Sequence, residues 1–222
     1  FYPAHHMTMG EGGAVFMNDP LLKLIAESFR DWGRDCYCAP GCDDTCGKRF
    51  GQTFGSLPEG YDHKYVYSHL GYNLKITDMQ AACGLAQLDS LEGFIAKRRD
   101  NFKYLSGRLS TLSEFIEIAT PTEKSNPSWF GFPITIKETA GIKRIDLIKY
   151  LDQYKIGSRL LFAGNLINQP YFDGVEYRVS GSLKNTDRAM NQTFWLGVQP
   201  TLGEEHYNFV AEKMEEFFGV SF

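Results

Sequence analysis

Hydrophobic positions follow two periods along this chain. Leu22, Ile25, Phe29 and Trp32 recur at helical spacing, which predicts a helix with one buried face. Asp19-Pro20 precedes it, an N-cap followed by proline at the first helical position. Gly12 to Met17 reads as a glycine-rich loop running into a short buried strand. Thr77-Asp78-Met79-Gln80 has the form of a capping box. Met79, Ala82, Cys83 and Ala86 then repeat at helical spacing, and helical character continues to about Ser113 with a kink expected near Gly93. Cys83, inside that pattern, is expected to be a buried small hydrophobe. Phe130-Gly131-Phe132-Pro133-Ile134-Thr135-Ile136 alternates with period two and predicts a strand, with Pro133 implying an edge or a bulge. Helix 143–154, strand 155–161, helix 184–191, strand 194–198 and helix 203–218 follow. Tyr207, Val210, Met214 and Phe217 mark the buried face of the last helix.

Two interruptions divide this pattern. Between Gly33 and about Tyr72 the periodicity vanishes into glycines, aromatics and cysteines, and loops of that length are more often functional than idle. Thr120 to Pro127 is rich in turn formers and reads as a hinge. The expected organisation is therefore a first domain over 1–118 and a small α+β domain over 119–222.

Composition narrows the function classes. The 222 residues carry a formal net charge of −4, with 43% hydrophobic and 23% charged residues, which excludes a chain disordered throughout. No basic excess points to nucleic acid. No run approaches eighteen apolar residues, which argues against a membrane span, and no secretion leader is visible. The cysteine count is five, an odd number, so a complete disulfide framework is not expected. Cys36, Cys38, Cys42 and Cys46 crowd into one short stretch. Clustered cysteines in a cytosol-like chain point to metal or redox chemistry. Their Cys-x-Cys-x7-Cys spacing lacks the knuckles of a zinc ribbon.

The opening run Phe1-Tyr2-Pro3-Ala4-His5-His6-Met7-Thr8-Met9-Gly10-Glu11-Gly12-Gly13 carries a second candidate chemistry. A histidine pair taken alone is more often a surface feature than a base. The run resembles the active-site segment of the sugar aminotransferase family of fold-type I pyridoxal-phosphate enzymes, Phe-x-x-x-Lys-Asn-x-x-x-Gly-Glu/Asp-Gly-Gly. His5 stands where that family has its cofactor-binding lysine. Gly71 to Ala82 resembles a second family segment, Gly-Tyr-Asn-x-Arg-x-Thr-Asp-x-Gln-Ala-Ala. An imidazole cannot make the covalent cofactor link that a lysine amine makes. It remains a competent proton acceptor and donor near neutrality. The combination resembles the coenzyme-B6-dependent sugar 3-dehydratases, and the cysteine spacing resembles their [2Fe–2S] branch.

The resemblance implies an α/β fold, the C-terminal part of an aspartate-aminotransferase-like enzyme: the end of the large cofactor domain plus the small domain. It implies pyridoxamine 5′-phosphate as cofactor, with His5 as catalytic base. Tyr2, Asn73 and Phe130 would line the cofactor site, Asn73 reaching the cofactor phosphate of a neighbouring subunit in a homodimer. Arg159 would pair with the diphosphate of a nucleotide-linked sugar, a CDP-4-keto-6-deoxyhexose. Cys36, Cys38 and Cys46 would hold the [2Fe–2S] cluster with a fourth cysteine upstream. An NADH-dependent flavin/iron–sulfur reductase would supply electrons. The implied setting is cytoplasmic. The alternatives left open are an ordinary pyridoxal-phosphate nucleotide-sugar aminotransferase and an inactive segment whose thiols are free or hold zinc. Cys42 lies outside the family pattern.

Overall fold

The structure is a computed structural model and describes residues 1–220. The described residues divide into two compact units, the first over 1–88 and the second beginning at Asp89. Among the described residues no helix is long and apolar enough to cross a membrane.

In the first unit, α1 spans Pro20–Arg30, and Asp19 Oδ1 accepts from the amides of Leu21 and Leu22 at 2.8 and 3.4 Å. Its apolar stripe forms as predicted but is not buried: Leu22, Ile25 and Phe29 are exposed, as is Trp32 just beyond the helix. Periodicity shows that a face is apolar, whereas burial needs a covering layer, and none is present among the described residues. The strand expected over Gly12–Met17 is absent for a related reason. Among the described residues no strand pairs with this segment, and Phe16 is 92% exposed. Helix α2 spans Asp78–Leu88 behind the expected capping box, in which Gln80 Oε1 accepts from the Thr77 amide at 2.9 Å. Cys83 is exposed on α2 rather than buried.

The second unit begins with α3, Leu91–Arg108. The chain breaks between α2 and α3 at Asp89-Ser90 instead of kinking near Gly93. Strands β1 (Ile116–Ile118), β2 (Gly131–Ile136), β3 (Ser158–Leu160) and β4 (Thr193–Gly197) form one sheet in the order β1-β2-β4-β3, with every pairing antiparallel. Helices α4 (Arg144–Gln153), α5 (Lys184–Gln192) and α6 (Glu204–Phe218) complete it. Gly219, at φ +68°, ends α6 in the left-handed region.

Phe132, Ile134 and Ile136 of β2 alternate into one core with Phe102 and Leu105 of α3, Leu147 and Leu151 of α4, and Tyr207, Ala211 and Met214 of α6. Burying each large side chain there contributes about 1.5–3 kcal/mol. Pro133 sits in an inner strand, not at an edge. Its position lies just past the end of β1, where the missing amide disrupts no β1 pairing. The compact division also falls earlier than the Thr120–Pro127 hinge. Phe102, Leu105 and Leu109 belong to the core of the second unit, so the residues preceding that loop are tied to the sheet.

Candidate functional site

The first unit holds two candidate centres. In the opening loop, the Met9 amide donates to the Phe1 carbonyl at 2.9 Å and the His5 amide to the Tyr2 carbonyl at 3.0 Å. The Tyr2 and His5 rings lie 5.5 Å apart, tilted, and both residues are exposed. Helix α2 clamps this loop. Gln87 accepts from the Thr8 amide at 3.0 Å and returns a hydrogen bond to the Thr8 carbonyl at 2.7 Å. Gln80 Nε2 donates to the Glu11 carbonyl at 3.1 Å. Gly84 lies between them along the helix, and a Cβ there would come within 2.8 Å of Met9 Cγ. One face of α2 thus fixes the loop that presents Tyr2 and His5. Asn73 is exposed and pairs with Asp31 in an isolated antiparallel bridge.

The second centre is the cysteine loop, closed at its base by a backbone crossing. The Trp32 amide donates to the Tyr72 carbonyl at 2.8 Å, the Tyr72 amide to Phe29 at 2.7 Å, and the Ser68 amide to Gly33 at 2.9 Å. Both residues at the crossing are glycines by necessity. A Cβ on Gly33 would lie 1.9 Å from the His69 carbonyl oxygen, and one on Gly71 would lie 2.1 Å from the Gly33 nitrogen. Above the crossing, Arg34 bridges Tyr67 and the Asp35 amide donates to the Val66 carbonyl at 3.0 Å.

Cys36, Cys38 and Cys46 line one small pocket with Asp43, Asp44, Arg49, His63 and Lys64. All three thiols are half-buried and free, while Cys42 is exposed and does not line that pocket. The Thr45 hydroxyl, followed by the Cys46 backbone amide, lowers the Cys38 thiol to about 7. Burial pushes the Cys36 thiol up. Around them, Arg49 donates to Asp62 at 3.1 and 3.0 Å, and Lys64 pairs with Asp43. Asp43 and Asp62 are held below the usual carboxylate range by those partners, Lys64 and Arg49 respectively. Among the described residues no three His, Cys, Asp or Glu side chains are arranged to hold a single metal ion.

The remaining two candidates lie in the second unit, beside Trp195 on β4. The Phe130 ring packs against Trp195 at 5.1 Å, and Arg159 on β3 is its register partner. Arg159 is exposed and donates to the Ser158 carbonyl at 2.8 Å. Trp195 Nε1 donates to the Leu160 carbonyl at 3.0 Å, and a Cβ on Gly131 would lie 2.4 Å from the indole. Phe162, in the segment following Arg159, holds φ at +48°, an unusual conformation for a bulky residue.

Sequence reasoning missed Trp195 and Arg98. The Arg98 guanidinium is 4% exposed and donates to the carbonyls of Trp129 and Phe130, each at 3.2 Å, thereby setting the backbone behind the Phe130 ring. Burial lowers its pKa from the usual range. Lys97 and Arg99 flank it in sequence, and nothing in their spacing marks Arg98 as the buried one.

Comparison with known proteins follows this geometry. A profile of the DegT/DnrJ/EryC1/StrS aminotransferase family matches residues 1–215. The chain is 69% identical over 222 residues to the lipopolysaccharide biosynthesis protein RfbH of Salmonella typhimurium, covering all of this chain and 51% of that protein. It is 49% identical to the dTDP-4-dehydro-2,6-dideoxy-D-glucose 3-dehydratase of Saccharopolyspora spinosa, covering 100% of this chain and 48% of the relative. The chain thus spans about half the length of these curated relatives. The solved Escherichia coli GDP-4-keto-6-deoxy-D-mannose-3-dehydratase, with bound hydrated PLP, superposes with a TM-score of 0.77 at 22% identity. That match covers 96% of this chain and 52% of the solved one, and it shows a shared α/β fold.

Proposed function

The chain belongs to the DegT/DnrJ/EryC1/StrS aminotransferase family, and on that premise we propose that it forms the C-terminal part of a nucleotide-sugar 3-dehydratase. The observation that carries the proposal is His5, standing where the family's sugar aminotransferases have a lysine, in a loop clamped by Gln80 and Gln87. The relatives named as 3-dehydratases support the same reading. More narrowly, the proposal is a CDP-6-deoxy-L-threo-D-glycero-4-hexulose-3-dehydrase of O-antigen dideoxysugar synthesis. Its substrate would be CDP-4-keto-6-deoxyglucose and its setting the cytoplasm.

Pyridoxamine 5′-phosphate, when bound, supplies an electron sink, and a [2Fe–2S] cluster supplies single electrons from an NADH-dependent flavin/iron–sulfur reductase. The donor sets suit these groups. His5 can hold a proton without bonding covalently to the cofactor, and it would move the proton at the cofactor C4′ atom as the sugar C3 hydroxyl leaves. Tyr2 packs beside it. Asn73 would serve the cofactor of the neighbouring subunit in a homodimer. Phe130 would wall the cofactor site, and Arg159 would meet the nucleotide diphosphate with its planar fork.

Cys36, Cys38 and Cys46 supply three soft ligands in one pocket. A binuclear cluster divides its ligands between two irons, so three thiols need not converge on one ion. The fourth thiolate would come from elsewhere in the intact enzyme. Further protein would also cover the exposed apolar face of α1, with the first unit closing a large cofactor domain and the second forming the small one.

The test uses the intact protein, reconstituted anaerobically with iron, sulfide, pyridoxamine phosphate and a reductase. Deoxygenation at C3 of CDP-4-keto-6-deoxyglucose is expected. Amino transfer to C4, with a borohydride-trappable link between cofactor and a lysine, would establish an ordinary aminotransferase instead.

A further inference from the structure

We propose that His63, braced by Asp35, is the positioning residue for the Cys46 sulfur in the cluster site. This rests on the iron–sulfur reading above and extends it to residues outside the ligand set.

His63 is 3% exposed, in a loop whose other polar side chains reach solvent. It is the single buried polar or charged side chain among the described residues of the first unit. Such a group is costly to bury unless its hydrogen-bonding atoms are matched. Both ring nitrogens of His63 face a partner. Nε2 lies 2.6 Å from Asp35 Oδ2, and Nδ1 lies 4.0 Å from Cys46 Sγ. The ring stacks on Phe54, with centroids 5.3 Å apart and planes 15° apart. Its backbone amide donates to the Arg49 carbonyl at 2.8 Å. Asp35 is anchored in turn by its amide on Val66, and it immediately precedes Cys36. The imidazole is therefore fixed in position, tilt and rotation, with one edge turned to sulfur.

Burial alone calls for a partner on the ring's N–H, and Asp35 meets it, but burial does not call for the opposite nitrogen to face a cysteine of the trio. A carboxylate–imidazole pair against a ligand atom is the arrangement by which outer residues orient ligands and tune a metal centre. Hydrogen bonding to the sulfurs and exclusion of water are among the factors that set the reduction potential of such a cluster. His63 would thus hold Cys46 in one rotamer and shield its sulfur, and Asp35 would keep the ring from turning.

The test compares intact wild-type protein with His63→Phe, Asp35→Asn and Cys46→Ser after anaerobic loading with ferrous iron and sulfide. His63→Phe keeps the stacking on Phe54 but turns no nitrogen to Cys46. The readouts are iron and sulfide content, the electron paramagnetic resonance spectrum of the reduced protein, the midpoint potential, and the rate of iron loss to a chelator. Both second-layer variants are expected to load. They should then show a shifted potential and lose iron about tenfold faster or more, with thermal midpoints unchanged. Loaded variants whose potential and iron loss match wild type would overturn the proposal. If His63→Phe fails to fold, Asp35→Asn, at a partly exposed position, decides by the same readouts. Wild-type protein that takes up no iron and sulfide would overturn the cluster reading itself, a different result from loaded but unaltered variants.

Discussion

Gly71→Ala tests whether the crossing at the base of the cysteine loop determines the loop's order. The new Cβ would lie 2.1 Å from the Gly33 nitrogen, 2.6 Å from the Trp32 carbonyl carbon and 2.8 Å from Gly33 Cα. All three are backbone atoms, so no side chain can swing aside, and the two segments must separate by about an ångström. Separation removes the hydrogen bonds from Trp32 to Tyr72, from Tyr72 to Phe29 and from Ser68 to Gly33. At roughly 0.5–1.5 kcal/mol net for each, the local cost is about 2–4 kcal/mol. That corresponds to roughly 30- to 1,000-fold faster exchange of those three amides, at about 1.4 kcal/mol per factor of ten. Native-state hydrogen exchange resolved by residue measures it directly. Alkylation of Cys36, Cys38 and Cys46 should accelerate in parallel. Gly93→Ala is the control, because a Cβ there meets nothing within 4 Å and alanine favours the helix. Wild-type protection of Trp32, Ser68 and Tyr72 in Gly71→Ala would refute the reasoning.

Further expectations concern the remaining features. His5→Lys in the intact protein should give a cofactor adduct at position 5 after borohydride, read by mass spectrometry, with C3 deoxygenation reduced at least about 100-fold. Asp43 and Asp62 have depressed pKa values, so their contribution to loop order is complete above the unfolded carboxylate value of about 4 and is lost as pH falls below it. Limited proteolysis within 36–64 should therefore stay constant from pH 7 to about pH 4.5 and rise below; opening between pH 6 and 5 would contradict the ion-pair account. Phe132→Ala, at a fully buried position with its ring tilted against Phe102, should cost about 3–5 kcal/mol in the second unit, measured by denaturant titration. Arg98→Met should change stability by less than about 2 kcal/mol, since the lost hydrogen bonds are offset by relief from burying an uncompensated cation. Arg98→Ala, which also opens a cavity, should be clearly worse in the same titration.

Elements announced by short-range chemistry were legible in the sequence. Asp19-Pro20 and Thr77-Gln80 mark helix starts because caps act within one turn, and the strand over 130–136 shows its period of two. Features decided across space were not. The stripe on α1 and the setting of Cys83 depend on what covers a face, which no local pattern encodes. Strand β1 has three residues, too few for a period to show, and exists through its register with β2. The turn-rich stretch 120–127 is a real loop, but the packing of Phe102 and Leu105 decides which unit precedes it. Among the site candidates, the cysteine trio converges because its spacing lies within one loop. His63 enters that pocket from 17 residues beyond Cys46, inside an aperiodic segment that offered no signal for it.

The glycine crossing also bears on how such loops are inherited. Its two strands enter and leave side by side, so the intervening residues form a nearly closed ring joined to the remainder through one gate. The entropy of closing such a ring grows only slowly with its length, about 0.6 kcal/mol for each doubling. Replacing the interior with a shorter, cysteine-free turn would therefore disturb the His5 loop and α2 little. The thiol-bearing loop is in this sense a detachable module, one that a scaffold of this kind can lengthen or shorten without rebuilding the loop that carries His5.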